Sequence, residues 1–335
     1  MQSRYTNGRA SSGIGAVRVL YFTDHHELPL PLGHRFPISK YRLTRELLAG
    51  DGLYEFIPAP LADRAVLELV HDQHYVEQFL SGTLSSQAIR RIGFPWSPEL
   101  VTRTLASVGG TLAATREALK HAFGGTLAGG THHAFRAEGS GFCVFNDIAV
   151  AVMWARKEAD ARRAAVIDLD VHQGDGTAHI FEHDADVLTI SVHGNGNFPF
   201  RKQRSRIDVG LADETGDEEY LSAVRGVLPR VDEFAPDIVY YQSGVDGLAS
   251  DRLGRLALTH AGLQERDRIV MQFCHNRQIP MIVTLGGGYG DPIEATAEAH
   301  ANTFRMAAQV FGSRHSLENE RPQNYLYGRA DSHCS

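Results

Sequence analysis

Two carboxylates and one imidazole alternate in a short segment that could bind a metal ion. Asp168, Asp170 and His172 stand two residues apart, so in an extended segment their side chains leave the same face. Residues 164–167 are apolar, as in a buried strand, where a carboxylate must be paired or bound to a metal. Asp246, within Ser-Gly-Val-Asp, could complete a three-ligand set with Asp170 and His172. Two oxygens and one nitrogen leave a position open for water, as in catalytic zinc sites, and Fe²⁺ also tolerates them.

Two adjacent histidines follow a pair of glycines and could supply acid–base chemistry. Either His132 or His133 could be a general base, because imidazole titrates near neutral pH. Asp168 and Asp175 could each accept a ring N–H and so orient the two imidazoles. Taken alone, the histidine pair also fits a packed or solvated loop.

A tyrosine follows a run of three glycines. Tyr289 could donate a hydrogen bond to a developing oxyanion, and the glycines allow a close approach by a substrate. The alternative is a dinucleotide-binding loop. Its GxGxxG spacing is missing from this segment, which favours the first interpretation.

The composition excludes several classes of protein. The chain has 335 residues, with 33 Lys and Arg against 40 Asp and Glu and a net charge of −7, so we expect no direct nucleic-acid partner. Three cysteines without CxxC spacing favour a reducing compartment, the cytoplasm. The longest apolar run, residues 148–155, is far shorter than the ~18 residues of a bilayer span, so we expect no membrane partner. The sequence does not specify an oligomeric state.

Short apolar runs alternate with longer helical patterns, which predicts an α/β fold. We expect one three-layer α/β/α domain with a mostly parallel central sheet over residues 17–312, a flexible N-terminal tail over 1–16 and a polar C-terminal tail over 313–335. The predicted strands are 17–22, 126–128, 164–170, 187–193, 237–242 and 280–285. The predicted helices are 39–49, 74–80, 98–122, 146–157, 259–275 and 293–310. Each polar cluster described above follows a predicted strand, and parallel strands deliver such loops to one edge of the sheet.

With these motifs in order, the chain resembles the histone deacetylase superfamily, which has the arginase–deacetylase fold, over about residues 17–312. The matching segments are Gly130-Thr131-His132-His133, Gly141-Phe142-Cys143-Val144-Phe145-Asn146-Asp147, the run from Asp168 to Gly176, Ser243-Gly244-Val245-Asp246 and Gly286-Gly287-Gly288-Tyr289. Residues 28–37 and 197–202 are most similar to bacterial class IV members.

The resemblance implies a zinc-dependent deacylase that hydrolyses the amide of an acyl-lysine. Zn²⁺, or alternatively Fe²⁺, would be held by Asp170, His172 and Asp246. Water would be activated with the help of the metal and His133, Tyr289 would polarise the carbonyl, and a protonated histidine would help the amine leave. Asp168 would support His132, and Asp175 would support His133.

The resemblance also implies a substrate tunnel and structural monovalent cations. The tunnel residues would be Phe142, Phe198, Gly141, Gly287 and Gly288. A K⁺ or Na⁺ ion would be bound by Asp168, Asp170, His172, Ser191 and Val192. A second such ion would lie near Phe181 and Val187.

Two departures from the family pattern affect the substrate. Gln173 replaces a histidine that is common after the ligand histidine, and no residue matches the rim acid that grips the peptide in class I enzymes. Residues 91–96 predict an apolar rim instead, so peptides would be gripped loosely or an acyl chain longer than acetyl would be accepted.

Three alternatives compete with an acyl-lysine deacylase. An acetylpolyamine or other small acylated amine stays open as the substrate. A non-catalytic acyl-lysine-binding module would have lost a metal ligand or the tyrosine. An arginase-like enzyme would need a DxDxxD pattern, but the next acid after Asp246 is Asp251.

Overall fold

Eight short strands pair side by side in the part of the chain that the computed structural model describes, residues 18–312. The strands are β1 (Val19–Phe22), β2 (Glu55–Pro58), β3 (Phe123–Thr126), β4 (Ala164–Asp168), β5 (Val187–Gly194), β6 (Ile207–Leu211), β7 (Ile238–Gln242) and β8 (Met281–Thr284). Their order in the sheet is β2-β1-β3-β8-β7-β4-β5-β6, and every pairing in the described region is parallel.

Helices connect most of the strands, because a parallel pair needs a long crossover, whereas residues 195–206 join β5 to β6 without a helix. Within residues 18–312 the helices are α1 (Ser39–Asp51), α2 (Arg64–Leu67), α3 (Gln73–Ser81), α4 (Ser86–Ile92), α5 (Pro98–His121), α6 (Asp147–Glu158), α7 (Asp175–Phe181), α8 (Asp217–Phe234), α9 (His260–Asn276) and α10 (Ile293–Gly312). The longest of them, α5, begins where Ser97 caps the backbone N–H of Leu100 and Pro98 presets the first turn.

The central strands are buried on both faces. In β4, Ala165 and Ile167 belong to one apolar core, whereas Ala164 and Val166 belong to the other. The first core includes side chains of α1, α8, α9 and α10, and the second includes those of α3, α5 and α6. The predicted three-layer α/β/α architecture is therefore confirmed.

Four adjacent strands, β3, β8, β7 and β4, form the middle of the sheet. Each is followed by one of the polar segments singled out in the sequence. Because the strands are parallel, all four segments leave the same edge of the sheet.

Several boundaries differ from the sequence prediction. β3 lies at Phe123–Thr126 rather than at 126–128, because its two glycines weaken the strand pattern. Gly124 is needed there, since a side chain would overlap the carbonyl of Ala114 on α5. The sequence pattern did not predict β2 and β6, the two edge strands, or α8, which contains Pro229.

The predicted tails, residues 1–16 and 313–335, lie outside the described residues, as does Val17. Among residues 18–312, no helix combines the length and apolarity that crossing a bilayer would need.

Candidate metal and acid–base site

Asp170, His172 and Asp246 meet at the edge of the sheet. One potential ligand atom from each lies within 4.8 Å of the others, and all three residues are buried. The Nδ1 atom of His172 is 3.0 Å from Oδ1 of Asp170 and 3.0 Å from Oδ2 of Asp246. This set of two carboxylates and one imidazole, drawn from two loops, suits a divalent cation.

The route by which these ligands converge differs from the sequence prediction. β4 ends at Asp168, so Asp170 and His172 lie in a tight loop and do not share the face of an extended strand. In this loop Asp168 accepts the backbone N–H of Asp170 at 3.2 Å, and Asp170 accepts that of His172 at 3.0 Å. Aspartate side chains commonly stabilise turns in this way.

Backbone donors from neighbouring segments fix the two carboxylates. Gly287 donates its N–H to Oδ2 of Asp170 at 2.7 Å, and Val171 donates to Oδ1 of Asp246 at 2.9 Å. A side chain at position 287 would overlap the Asp246 carboxylate. Position 287 therefore requires glycine, because its backbone lies directly against the Asp170 and Asp246 carboxylates.

The electrostatics also fit a bound cation. Burial and the nearby Asp170 carboxylate raise the pKa of Asp246 to about 7. Burial opposes a charge on His172, but Asp246 and Asp170 outweigh it and raise the His172 pKa to about 10. Two buried carboxylates thus attract positive charge to this point, and a metal ion would supply it.

Two histidine–aspartate pairs lie beside the metal-ligand set. The Nδ1 atom of His132 is 2.7 Å from Asp168, and that of His133 is 2.6 Å from Asp175. The two imidazole rings are 4.1 Å apart, and the ring of His133 is 6.0 Å from that of His172. The structure therefore brings both predicted pairs to the predicted metal ligands.

The loop that carries the histidines is held by Asp147. This buried residue accepts the backbone N–H groups of Gly130 and Thr131 at 3.0 and 2.7 Å and the hydroxyl of Thr131 at 2.6 Å. Gly130 has φ +75°, which favours glycine. The sequence analysis placed Asp147 in a motif but did not predict this role, because its partners are set by tertiary contacts.

Tyr289 closes the other side of the site. Its buried ring lies 6.4 Å from that of His172. Burial, followed by the charge of Asp246, raises its pKa well above the usual range, so the hydroxyl keeps its proton and can donate a hydrogen bond. Asp251 accepts the backbone N–H of Tyr289 at 2.5 Å and so anchors the residue.

The residues predicted to line a tunnel lie near the acid–base groups and Tyr289. The ring of Phe198 packs edge-on against His133 at 4.9 Å, and the ring of Phe142 lies 6.2 Å from Tyr289. Gly141 sits where a side chain would crowd His133 and Phe198. The remaining predicted members, Gly287 and Gly288, belong to the loop before Tyr289.

The residues predicted to bind monovalent cations are grouped as expected from strand pairing. Asp168 and Ser191 are partners in the β4–β5 register, and Val192 follows on β5. The hydroxyl of Ser191 is 2.9 Å from Nδ1 of His193. Asp184 connects the second pair, since its N–H donates to the carbonyl of Phe181 and its carbonyl accepts from Val187.

The expectation of an apolar rim over residues 91–96 is wrong. Ile92 and Phe94 are buried in the core, and Trp96 donates its indole N–H to the carbonyl of Phe79. The exposed residues of this loop are Arg91 and Pro95. The apolar side chains face inward because they pack the second core.

Gln173, the other departure, has a structural role. Its amide donates to the carbonyl of Gln203 at 2.7 Å and to Asp208 at 2.8 Å, and its oxygen accepts the N–H of Gln203. It therefore ties the segment after Phe198 to the edge strand β6.

Comparison with known proteins agrees with this arrangement. The Histone deacetylase domain matches residues 34–306. An uncharacterised protein of Picosynechococcus is 44% identical over 297 residues, which cover 88% of this chain and 99% of the relative. Histone deacetylase 2 of Arabidopsis thaliana is 28% identical, covering 87% of this chain and 76% of its own. The acetoin utilization protein AcuC of Bacillus subtilis is 29% identical, covering 76% of this chain and 72% of its own.

The matched residues include the loops after β3, β4, β7 and β8, which carry the candidate site. Relatives named deacetylases imply hydrolysis of an amide, and the clustered ligands agree with the metal dependence of the family. The chain thus belongs to the histone deacetylase family of hydrolases.

Proposed function

We propose that this protein is a zinc-dependent deacylase that hydrolyses the amide of an acyl-lysine. One observation carries the proposal: two oriented histidine–aspartate pairs lie next to a three-ligand set whose donor atoms fall within 4.8 Å. A non-catalytic reader would need neither the pairs nor the open ligand position.

Asp170, His172 and Asp246 would hold the metal ion. When bound, a divalent ion would lower the pKa of water and polarise the acyl carbonyl. Zn²⁺ is the ion that the family resemblance implies, with Fe²⁺ as the alternative, since both ions accept oxygen and nitrogen donors.

The two histidines would divide the proton transfers. Burial and the charge of His132 lower the pKa of His133 to about 4, so His133 is neutral at pH 7 and can accept a proton from water. Burial alone would lower the pKa of His132, but the charges of Asp168 and Asp170 outweigh it and raise that pKa to about 9. His132 is then charged at pH 7 and stabilises negative charge on the reacting group.

Tyr289 would donate a hydrogen bond to the carbonyl oxygen as that oxygen gains charge. Phe142 and Phe198 would enclose the lysine stem, with Gly141, Gly287 and Gly288 leaving room for it. A K⁺ or Na⁺ ion would be held by Asp168, Asp170, His172, Ser191 and Val192 and would stiffen the loop after β4. A second ion near Phe181 and Val187 would stiffen α7.

The class IV assignment rests on residues 28–37 and 197–202. The cytoplasm stays the predicted compartment because of the cysteine usage.

Two exposed arginines, next in the chain to aromatics that pack on Phe142 and Phe198, favour a protein or peptide over a polyamine. Arg35 and Arg201 are exposed and make no ion pair within residues 18–312. Arg35 lies between His34 and Phe36, whose rings contact Phe142, and Arg201 follows Phe200, whose ring is 6.4 Å from Phe198. These cations would repel a polyamine, although a small acylated amine stays the second candidate.

A pocket lined in part by Phe142, with both apolar and polar walls, supports acceptance of an acyl chain longer than acetyl. Its walls include Phe36, Phe94, Val144 and Phe145. Equal rates on acetyl-lysine and longer acyl-lysines would count against this preference.

The test is hydrolysis of a panel of acyl-lysine peptides and acetylpolyamines by the metal-loaded enzyme, with Asp246→Ala as the blank. We expect metal-dependent release of the acyl group from lysine peptides that is lost in the blank. Turnover of polyamines alone would select the second candidate. No turnover of any substrate by metal-loaded protein would overturn the proposal.

A further inference from the structure

One arginine lies beneath both loops that carry the candidate metal ligands. Arg266, on α9, is fully buried. Its Nη1 donates to the carbonyls of Gly244 at 2.6 Å and Leu169 at 3.5 Å, and its Nη2 donates to that of Ser243 at 3.2 Å. A single guanidinium therefore contacts the loop after β4 and the loop after β7.

The accepting carbonyls are next to the ligand residues in the chain. Leu169 directly precedes Asp170, and Gly244 is two residues before Asp246. A shift of either carbonyl would move the carboxylate that follows it. Tyr220 adds a second donor, since its hydroxyl also lies 3.3 Å from the carbonyl of Leu169.

The charge of Arg266 is balanced by the carboxylate of the next residue, Asp267. Asp267 accepts Nε at 2.9 Å and Nη2 at 2.8 Å. Asp267 also accepts the hydroxyls of Tyr241 and Thr303, which attach the pair to β7 and α10. The compensated guanidinium keeps its remaining N–H groups for the loop carbonyls.

Arginine is suited to this position by geometry as well as charge. Its planar fork presents five donors in fixed directions, whereas a lysine ammonium is a point charge on a flexible stem. An ion pair that served packing alone would not need donors directed at three carbonyls of two separate loops.

We propose that Arg266 is a positioning residue that fixes the separation of the Asp170 and Asp246 loops and thereby sets the affinity of the site for a divalent metal. The inference rests on the metal site of the proposed function. It assigns to α9 a part in metal binding, although no side chain of that helix is a ligand.

The test uses the full chain and measures Zn²⁺ affinity by competition with a chromophoric chelator, together with the absorption spectrum of the Co²⁺-substituted protein. Two variants are compared: Arg266→Lys, which keeps the charge, and Arg266→Met with Asp267→Leu, which removes the pair without leaving a buried charge. Because loss of a supporting contact typically weakens metal binding about 10- to 100-fold, we expect that loss in both, with an altered Co²⁺ spectrum. Arg268→Met, which changes an exposed arginine of the same helix that pairs with Glu265, should keep wild-type affinity.

Arg266→Lys keeps the test informative if the double variant does not fold. A folded variant with wild-type Zn²⁺ affinity and an unchanged Co²⁺ spectrum would overturn the positioning role, even if its unfolding temperature fell. Wild-type protein that binds neither ion would instead overturn the metal site, and both proposals with it.

Discussion

The Nδ1 atom of His132 lies 2.7 Å from the carboxylate of Asp168, and this contact, together with the charge of Asp170, shifts the pKa of the imidazole in the opposite direction from that of the next residue in the chain. The His132 pKa is raised to about 9, whereas that of His133 is lowered to about 4. Between these values one ring is charged and the other is neutral. A charged group and a base can therefore coexist at neutral pH in adjacent residues.

The first prediction concerns the pH dependence of kcat/KM. Asp168→Asn removes the carboxylate that raises the His132 pKa, so His132 should lose its proton at lower pH and the alkaline limb should move toward neutrality. Asp175→Asn is the matched control, because it acts on His133. It should slow turnover on the order of 10- to 100-fold and leave the alkaline limb in place. An alkaline limb unmoved by Asp168→Asn would contradict this division of roles.

The second prediction concerns the oxyanion donor. Tyr289→Phe removes the hydroxyl but keeps the aromatic ring, and loss of such a hydrogen-bond donor typically lowers kcat by ~10²–10³. Steady-state kinetics on an acyl-lysine peptide would measure the loss. Tyr54→Phe is the control, since the hydroxyl of Tyr54 donates to the carbonyl of Phe304, outside the site. Near-wild-type turnover by Tyr289→Phe would remove Tyr289 from the mechanism.

The third prediction concerns stability in acid. Burial lowers the pKa of His71 from 6.5 to about 4, and its ring is held between the Phe135 carbonyl and the N–H of Asn146. Between these pH values the unfolded chain binds a proton that the folded chain does not, so stability falls as the pH is lowered. At about 1.4 kcal/mol per pKa unit, the fall over this range is at most about 3 to 4 kcal/mol.

His71→Gln, whose amide can both donate and accept, should flatten this pH dependence in chemical denaturation at several pH values. His74→Gln changes an exposed histidine on the neighbouring helix and should leave the slope as it is. Equal slopes for His71→Gln and the wild type would show that other groups cause the acid sensitivity.

The fourth prediction concerns peptide choice. Arg35 and Arg201 should favour acyl-lysine peptides with acidic neighbours, so charge reversal at either position should raise KM for acidic peptides and lower it for basic ones. The effect should weaken with added salt. Arg162→Glu, an exposed change near the start of β4, serves as the control. An unchanged ratio of the KM values for acidic and basic peptides would mean that Arg35 and Arg201 do not contribute to peptide choice.

Much of the candidate site could be predicted from the sequence, because buried aspartates need a charged partner or a metal ion. The spacing of Asp168, Asp170 and His172, and the apolar strand that precedes them, indicate a metal-binding edge from the sequence alone. The early end of β4 could not be predicted, because it depends on carboxylates that accept their own loop's N–H groups.

A side chain whose role is to bind backbone carbonyls of distant loops could not be identified from the sequence. Nothing in the helical pattern of α9 identifies which carbonyls Arg266 meets, since Leu169 and Gly244 are distant in the chain. The prediction of an apolar rim was wrong because the sequence does not distinguish exposed from buried apolar residues. Ile92 and Phe94 are buried.

The most direct test of the central claim is whether hydrolysis depends on a metal held by Asp246. Metal content after dialysis and hydrolysis of an acetyl-lysine peptide would be measured on Zn²⁺-reconstituted wild type, Asp246→Ala and the exposed control Asp63→Ala. The account predicts about one tightly bound Zn²⁺ and full activity in wild type and control, with both lost in Asp246→Ala, because a catalytic zinc needs all three of its protein ligands. Metal-free hydrolysis at the wild-type rate, or full activity in Asp246→Ala, would contradict it.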